Sequence, residues 1–368
     1  MTQTLKRTGY LKVQDSIRKR VLEGKWKVGS KIPSERELEK EFQISRLTIS
    51  KGLSNLVTQG LLIRRRGQGT FVAESGVNLV PIQKRLVKFI SPMPLREGVI
   101  SRPGILEGMH EILVKKGYHT GVDFYHSISE HIELLKSDND DYHAGFIVWH
   151  ETDDGIYEEL KRMKQAGYPF VMVDSFPADF ETDFIATNHI EGSRLVVKYL
   201  VDAGHKAITY VTRRINRTSL EDRLAGFVSG MIACDLPIWE NSTVKLKGAH
   251  EEACDEIGPT LKQLFSASQK PTALFFSHDD LAIEAVAQLR SMNIRVPEEV
   301  SIICNDNFDP NACEGLPLTT ITQDFFEMGK VAAQVLLEKL ENRTSVRPQQ
   351  IYLKPILTER KSVMSLNK

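Results

Sequence analysis

Cysteine is scarce in this chain of 368 residues, with four copies at positions 234, 254, 304 and 313. Cys304 and Cys313 stand apart from any Cys-x-x-Cys pair or His cluster, so neither a disulfide framework nor a structural metal site can be read from them. They read as small core or surface residues of a reducing compartment. Long apolar runs are also missing. None approaches the roughly 18 residues needed to span a bilayer. The N-terminal Met-Thr-Gln-Thr-Leu-Lys-Arg leads into no apolar stretch, so an export signal is not expected and the expected location is the cytoplasm. There are no repeats of solenoid period and no low-complexity tracts. No Ser/His/Asp, metal-ligand or phosphate-loop constellation stands out. Gly67-Gln68-Gly69 is too short for a nucleotide loop and lies between two strands rather than between a strand and a helix. The expectation is a chain that is not an enzyme and carries no cofactor.

Net charge is missing too, but the formal zero conceals an asymmetry. Residues 1–75 hold 16 Lys and Arg against 7 Asp and Glu, a surplus of +9, and the remainder carries −9. A basic front on an acidic body points to a polyanion partner for the front alone. Glu74-Ser75-Gly76-Val77-Asn78-Leu79-Val80-Pro81 breaks the chain between two patterns. The reading is a module at 8–76, a linker at 77–85 and a larger body at 86–368.

Within the front module the pattern is three helices and a hairpin. Val13, Ile17 and Val21 recur at helical spacing, and Gly24 stops that helix. Ser34 caps a second helix, and Glu37 completes a capping box. Leu38 and Phe42 bury it. Gln43-Ile44 makes a turn, and Ser45 caps a third helix with Ile49, Leu53, Leu56 and Val57 inward, ending at Gly60. Strands at about Leu61–Arg65 and Thr70–Ala73 flank Arg66-Gly67-Gln68-Gly69. Two short helices joined by a tight turn place the second in a DNA major groove. Arg46, Thr48, Ser50 and Lys51 then lie on the outer side, and Arg46 suits guanine O6 and N7. Arg36 suits a phosphate or a base. Arg64, Arg65, Arg66, Gly67, Gln68, Gly69 and Thr70 form a wing whose glycines allow close approach to the minor groove.

The runs Gly29-Ser30-Lys31-Ile32-Pro33-Ser34-Glu35-Arg36-Glu37-Leu38, Ile44-Ser45-Arg46-Leu47-Thr48-Ile49, Gly60-Leu61-Leu62 and Arg66-Gly67-Gln68-Gly69-Thr70-Phe71-Val72 resemble the GntR-type winged helix. The resemblance covers about residues 8–76. It implies DNA contacts at Arg36, Arg46, Thr48 and the Gly67–Thr70 wing tip. Ser50-Lys51 departs from the family, many of whose members place Arg directly after the preceding pair.

In the body, short apolar runs alternate with amphipathic helices: Leu86–Ile90, Gly145–Trp149, Phe170–Val173, Ala207–Thr212, Thr272–Phe276 and Val300–Cys304 each precede a helical stretch. Gly117, Gly167 and Gly204 stop helices. This is α/β patterning with a doubly wound parallel sheet, and its length calls for two lobes. Ligands of such sheets bind beyond the carboxyl ends of the strands. That rule selects His150, Asp174 with Ser175, Arg213, Arg214, Arg217 and Arg223, His278 with Asp279, Asn305 with Asp306, and the loop Ser91–Arg102.

Asn188-His189-Ile190-Glu191-Gly192, Gly204-His205-Lys206-Ala207-Ile208, Arg223-Leu224-Ala225-Gly226-Phe227, Pro271-Thr272-Ala273-Leu274-Phe275, Val296-Pro297-Glu298-Glu299-Val300-Ser301-Ile302 and Leu318-Thr319-Thr320-Ile321 resemble the LacI/GalR regulators and the related periplasmic sugar-binding proteins over about residues 86–360. The resemblance implies a periplasmic-binding-protein-like effector domain with contacts at Arg223, Asp279 and Asp306, joined by Arg217 and Ser219. Departures are Thr187-Asn188 for Asp-Asn, Cys304-Asn305-Asp306 for Gly-Phe-Asp and His278-Asp279 for Asn-Asp. A GntR-type reader on a LacI-type body resembles the arabinose-responsive repressors. The implied partners are duplex operator DNA, a carbohydrate effector and a second copy of the chain. Asp and Arg suit sugar hydroxyls, and Trp149, Phe176 and Phe308 are candidates to stack on a sugar face. The alternatives are a sensor of a nucleobase or another polar metabolite, a fusion to a pyridoxal-phosphate aminotransferase-like body, and a transport-type binding protein. The second lacks a persuasive Schiff-base lysine.

Overall fold

The computed structural model describes the chain apart from residues 1–9, 11–12, 15, 18, 22–23, 59–60, 66–67, 74–84, 93–102, 138–142, 150–152, 178, 215–216, 249, 307–312, 314, 342–346 and 368. The expected linker therefore lies almost wholly outside the described residues, as do Gly60, Arg66, Gly67, His150, Phe308 and most of the loop after the first body strand. The chain divides into two compact units, Met1–Lys84 and Arg85–Lys368. Among the described residues no helix is long and apolar enough to cross a membrane.

In the first unit, helical residues between 10 and 21 bring Val13, Ile17 and Val21 inward, and Gly24 follows at φ 71°. Helix α1 (Glu35–Phe42) starts at the expected capping box: Ser34 Oγ accepts from Glu37 N at 3.3 Å, and Glu37 Oε2 accepts from Ser34 N at 2.7 Å. Gln43, left-handed at φ 52°, turns the chain toward α2 (Arg46–Thr58). Strands β1 (Leu62–Arg65) and β2 (Gly69–Val72) form an antiparallel hairpin that pairs Arg65 with Gly69 and Leu62 with Val72. Residues 29–32 also pair with β2: Ile32 N donates to Thr70 O at 3.0 Å, and Val72 N to Ser30 O at 2.9 Å. Ile17, Ile32, Leu38, Ile49, Leu53, Leu56, Leu62 and Val72 close one core. Burying each such side chain fully contributes about 1.5–3 kcal/mol.

The second unit has two lobes with matching plans. The first holds β3 (Leu86–Pro92), α3 (Pro103–Lys115), β4 (His119–Tyr125), α4 (Ile128–Ser137), β5 (His143–Trp149), α5 (Asp154–Gln165), β6 (Phe170–Val173) and β7 (Phe184–Thr187). The second holds α6 (His189–Asp202), β8 (Ile208–Arg213), α7 (Thr218–Ala233), β9 (Thr243–Leu246), α8 (His250–Ser266), β10 (Ala273–Phe276), α9 (Asp279–Ser291), β11 (Ser301–Asn305) and β12 (Thr319–Thr322). Helix α10 (Phe325–Glu341) and β13 (Gln350–Leu353) return to the first lobe, and β14 (Ile356–Thr358) goes back to the second. The sheets run β13-β7-β6-β5-β3-β4 and β14-β12-β11-β10-β8-β9. All pairings in both are parallel except β12 with β14. The chain therefore passes between lobes three times.

Both faces of each sheet are covered, which is why the strands are apolar throughout. Phe146 and Val148 of β5 face α4 and α5, while Ile147 and Trp149 face α3 and α10. In β10, Ala273 and Phe275 face α6 and α7, while Leu274 and Phe276 face α8 and α9. Gly108 and Gly329 let α3 and α10 touch, since a Cβ on either would strike the carbonyl of Phe326 or Ile105.

Candidate functional site

In the first unit α2 presents two opposed faces. Ile49, Leu53 and Leu56 are buried, whereas Arg46 and Lys51 are exposed and Thr48 and Ser50 half-buried. The start of α2 is held by acids of α1: Glu39 Oε1 accepts from Arg46 N at 3.1 Å, and Glu35 Oε2 accepts from Arg46 Nε at 3.5 Å. The other oxygen of Glu35 accepts from Arg64 of β1 at 3.0 Å. One carboxylate therefore ties helix and hairpin together while the Arg46 side chain stays 70% exposed. Thr48 Oγ1 lies 2.9 Å from Ser45 Oγ, and Lys51 Nζ lies 5.0 Å from the centre of the Tyr10 ring. Arg36 is exposed on α1.

At the wing, Arg65 lies over the Phe71 ring at 4.8 Å. Gln68 N donates to Arg65 O at 3.0 Å, and Gly69 sits at φ +116°, where glycine is favoured. A Cβ there would come within 2.7 Å of the Lys31 side chain. Exposed Lys31 is thus a wing cation that the sequence reading did not select. Its signal was the pairing of residues 29–32 with the hairpin, which has no local mark.

The second unit gathers its polar groups at strand ends of both lobes. Asp174 follows β6 and Asp306 follows β11, each buried and left-handed at φ 67° and 79°. Each is fixed by the same backbone bond to its neighbouring strand: Asp174 N to Ile185 O and Asp306 N to Ile321 O, both 2.9 Å. Non-glycine residues persist in that conformation where surrounding structure over-determines them, often at functional sites.

Arg223 of α7 makes a two-pronged pair with Asp306 at 3.2 and 3.0 Å and donates also to Ser277 O. Its Nε donates to His189 Nδ1 at 3.4 Å, so the His189 proton sits on Nε2, which is 3.8 Å from Asp174. Four of the five guanidinium N–H groups are thereby engaged. Gln323 Nε2 donates to Asp306 at 2.7 Å, and Thr187 Oγ1 donates to Gln323 at 2.8 Å. The Gln323 arm thus joins this pair to the first lobe by hydrogen bonds, while His189 only comes near Asp174. A second hydrogen-bonded lobe-to-lobe link is Thr218 Oγ1, which donates to Phe176 O at 2.9 Å.

Burial would raise the Asp306 carboxyl, but the Arg223 charge and the bonds from Arg223 and Gln323 outweigh it and hold the pKa below the usual value. His278 keeps some accessible surface, yet burial, helped by the charges of Arg213 and Arg223, lowers its pKa to about 3. Arg213 pairs with Asp280, and Arg214 is exposed. Arg217 stands at the N-cap of α7 with Ser219 buried just inside, and Asp279 is buried at the first position of α9.

One aromatic expectation needs correction. Trp149 is 2% exposed and packs on Phe325 at 5.8 Å, within the core between sheet and helices, so it offers no face to a ligand. Phe176 stacks flat on Phe184 at 3.6 Å, which occupies one of its faces. An open concavity of about 480 Å³ lies elsewhere, at the opposite ends of β10 and β11, and is lined by Lys262, Phe265, Lys270, Met292, Ile294 and Glu299. It contains none of the strand-end groups.

Residues 9–72 match the family of bacterial regulatory proteins, gntR family, and residues 197–363 match the periplasmic binding protein-like domain. The arabinose metabolism transcriptional repressor of Halalkalibacterium halodurans is 29% identical over 374 residues, 96% of each chain. The HTH-type transcriptional repressor PurR of Vibrio parahaemolyticus is 29% identical over 270 residues, covering 72% of this chain and 77% of that one. A LacI family transcriptional regulator of Enterococcus faecium, solved with bound ribose, superposes with a TM-score of 0.62 at 23% identity, over 77% of this chain and all of that one. The chain is a DNA-binding transcription regulator in two parts, a gntR-type winged-helix head and a periplasmic-binding-protein-like body.

Proposed function

We propose that the chain represses transcription as a homodimer on operator DNA and is released when a small carbohydrate enters the cleft of its body. The head would contact DNA through Arg36, Arg46, Thr48, Ser50, Lys51, Arg65, Arg66, Gly67, Gln68, Gly69 and Thr70. The effector would meet Asp174, Arg217, Ser219, Arg223, Asp279, Asp306 and His150. The observation that carries the reading is the Arg223–Asp306 pair, buried at strand ends and linked to both lobes. A ligand with several hydroxyls can donate to the carboxylates and accept from the guanidinium groups at once. The arabinose repressor relative and the ribose-bound neighbour support the same class. Mechanistically, a ligand that binds one arrangement of the lobes more tightly shifts the population toward it, and the shift is limited by that difference in affinity. In a dimer, that shift would alter the spacing of the two heads on their half-sites.

Selection of duplexes from a random pool, with and without pentoses, hexoses and purine bases, tests this directly. Arg46→Ala should lose base discrimination by about 1–3 kcal/mol, whereas Arg65→Ala should chiefly flatten the salt dependence. Operator affinity unchanged by every sugar would sink the carbohydrate reading.

A further inference from the structure

Leu47 is the second residue of α2 and is 84% exposed. The buried stripe of that helix, Ile49, Leu53 and Leu56, is 0–1% exposed and faces the core of the head. Arg46, Leu47, Ser50 and Lys51 share the other side by the spacing of an α-helix. Leu47 is thus a bare apolar group set between a 70% exposed arginine and an exposed lysine. Cations on the same face, and the surplus of positive charge in residues 1–75, select a polyanion as its occupant rather than an apolar protein surface. In the major groove of duplex DNA the bases offer one apolar group, the thymine C5 methyl.

We infer that Leu47 reads a thymine methyl next to the base pair that Arg46 reads. This rests on the DNA-binding reading of the head and adds a base to it. A polar or shorter residue at this position would leave Arg46 in place and remove a single base preference. Replacing hydration of both methyl-bearing groups by mutual contact should favour thymine by about fourfold or more in each half-site.

The test uses the full-length protein and a duplex chosen by random-pool selection. Each thymine of a half-site is replaced in turn by uracil, which keeps base pairing and removes only the methyl. One replacement should weaken the unaltered protein by about fourfold or more and leave Leu47→Ala unaffected. Leu47→Met, which keeps apolar reach, should keep the discrimination. Specific binding with no thymine-to-uracil difference at any position would overturn the inference and leave DNA recognition standing. So would a difference that persists undiminished in Leu47→Ala, or a Leu47→Ala chain that changes only its oligomeric state. A chain that binds no duplex would overturn both readings.

Discussion

A carboxylate placed among guanidinium groups sets how freely those groups meet a phosphate. Glu35 holds Arg46 and Arg64 at once. Glu35→Gln should release both, raise affinity for random duplexes, steepen the salt dependence and narrow the gap between operator and random DNA. Titrations at two salt concentrations on both kinds of duplex would show this. His278 carries the pH prediction. Its pKa of about 3 in the folded chain lies below the ordinary imidazole value of about 6.5. The unfolded chain therefore takes up the proton first as the medium acidifies. The stabilising contribution is complete above about pH 6.5 and is lost between there and about 3, at no more than about 1.4 kcal/mol per pH unit. Unfolding of His278→Gln should show a shallower dependence than the unaltered protein when pH 7.5 and pH 5 are compared.

Single elements have their own weak points. Ser34→Ala removes one half of the α1 capping box and should cost the head about 1 kcal/mol, seen as a lower melting temperature and weaker DNA binding together. Gly329→Ala should force α10 off α3, at a cost of about 1–3 kcal/mol. Elements with punctuation were legible in the sequence: the capping box, the stops at Gly117, Gly167 and Gly204, and six central apolar strands. Others carry no such mark. Strand β4 is an edge strand with mixed burial, and β9, β13 and β14 are short and partly exposed. Helix α8 contains Pro259, which argues against a helix in any local reading. Strand-end carboxylates and guanidinium groups were legible because the ligand rule for α/β sheets needs only the strand ends. Trp149 was not, because a strand buried on both sides reads as a continuous apolar run and does not reveal which face a given residue takes. The links through His189, Gln323 and Thr187 join stretches far apart in sequence, so no spacing announces them.

Across the body as a whole, the Arg223–Asp306 pair is the joint most exposed to mutation. Arg223→Met leaves a buried carboxylate unpaired, with an expected loss of about 3–5 kcal/mol. Replacing both partners by apolar residues of similar size should recover much of that stability in denaturant titrations without restoring a response to effector. The triple passage of the chain bears on how this body is made. The first lobe begins at β3, but one face of its sheet stays partly uncovered until α10 supplies Met328, Ala332, Ala333 and Leu336. Nearly all of the second lobe lies between those two stretches in the sequence. As the nascent chain leaves the ribosome, the lobe that is started first must therefore wait for closure until the other has almost wholly emerged.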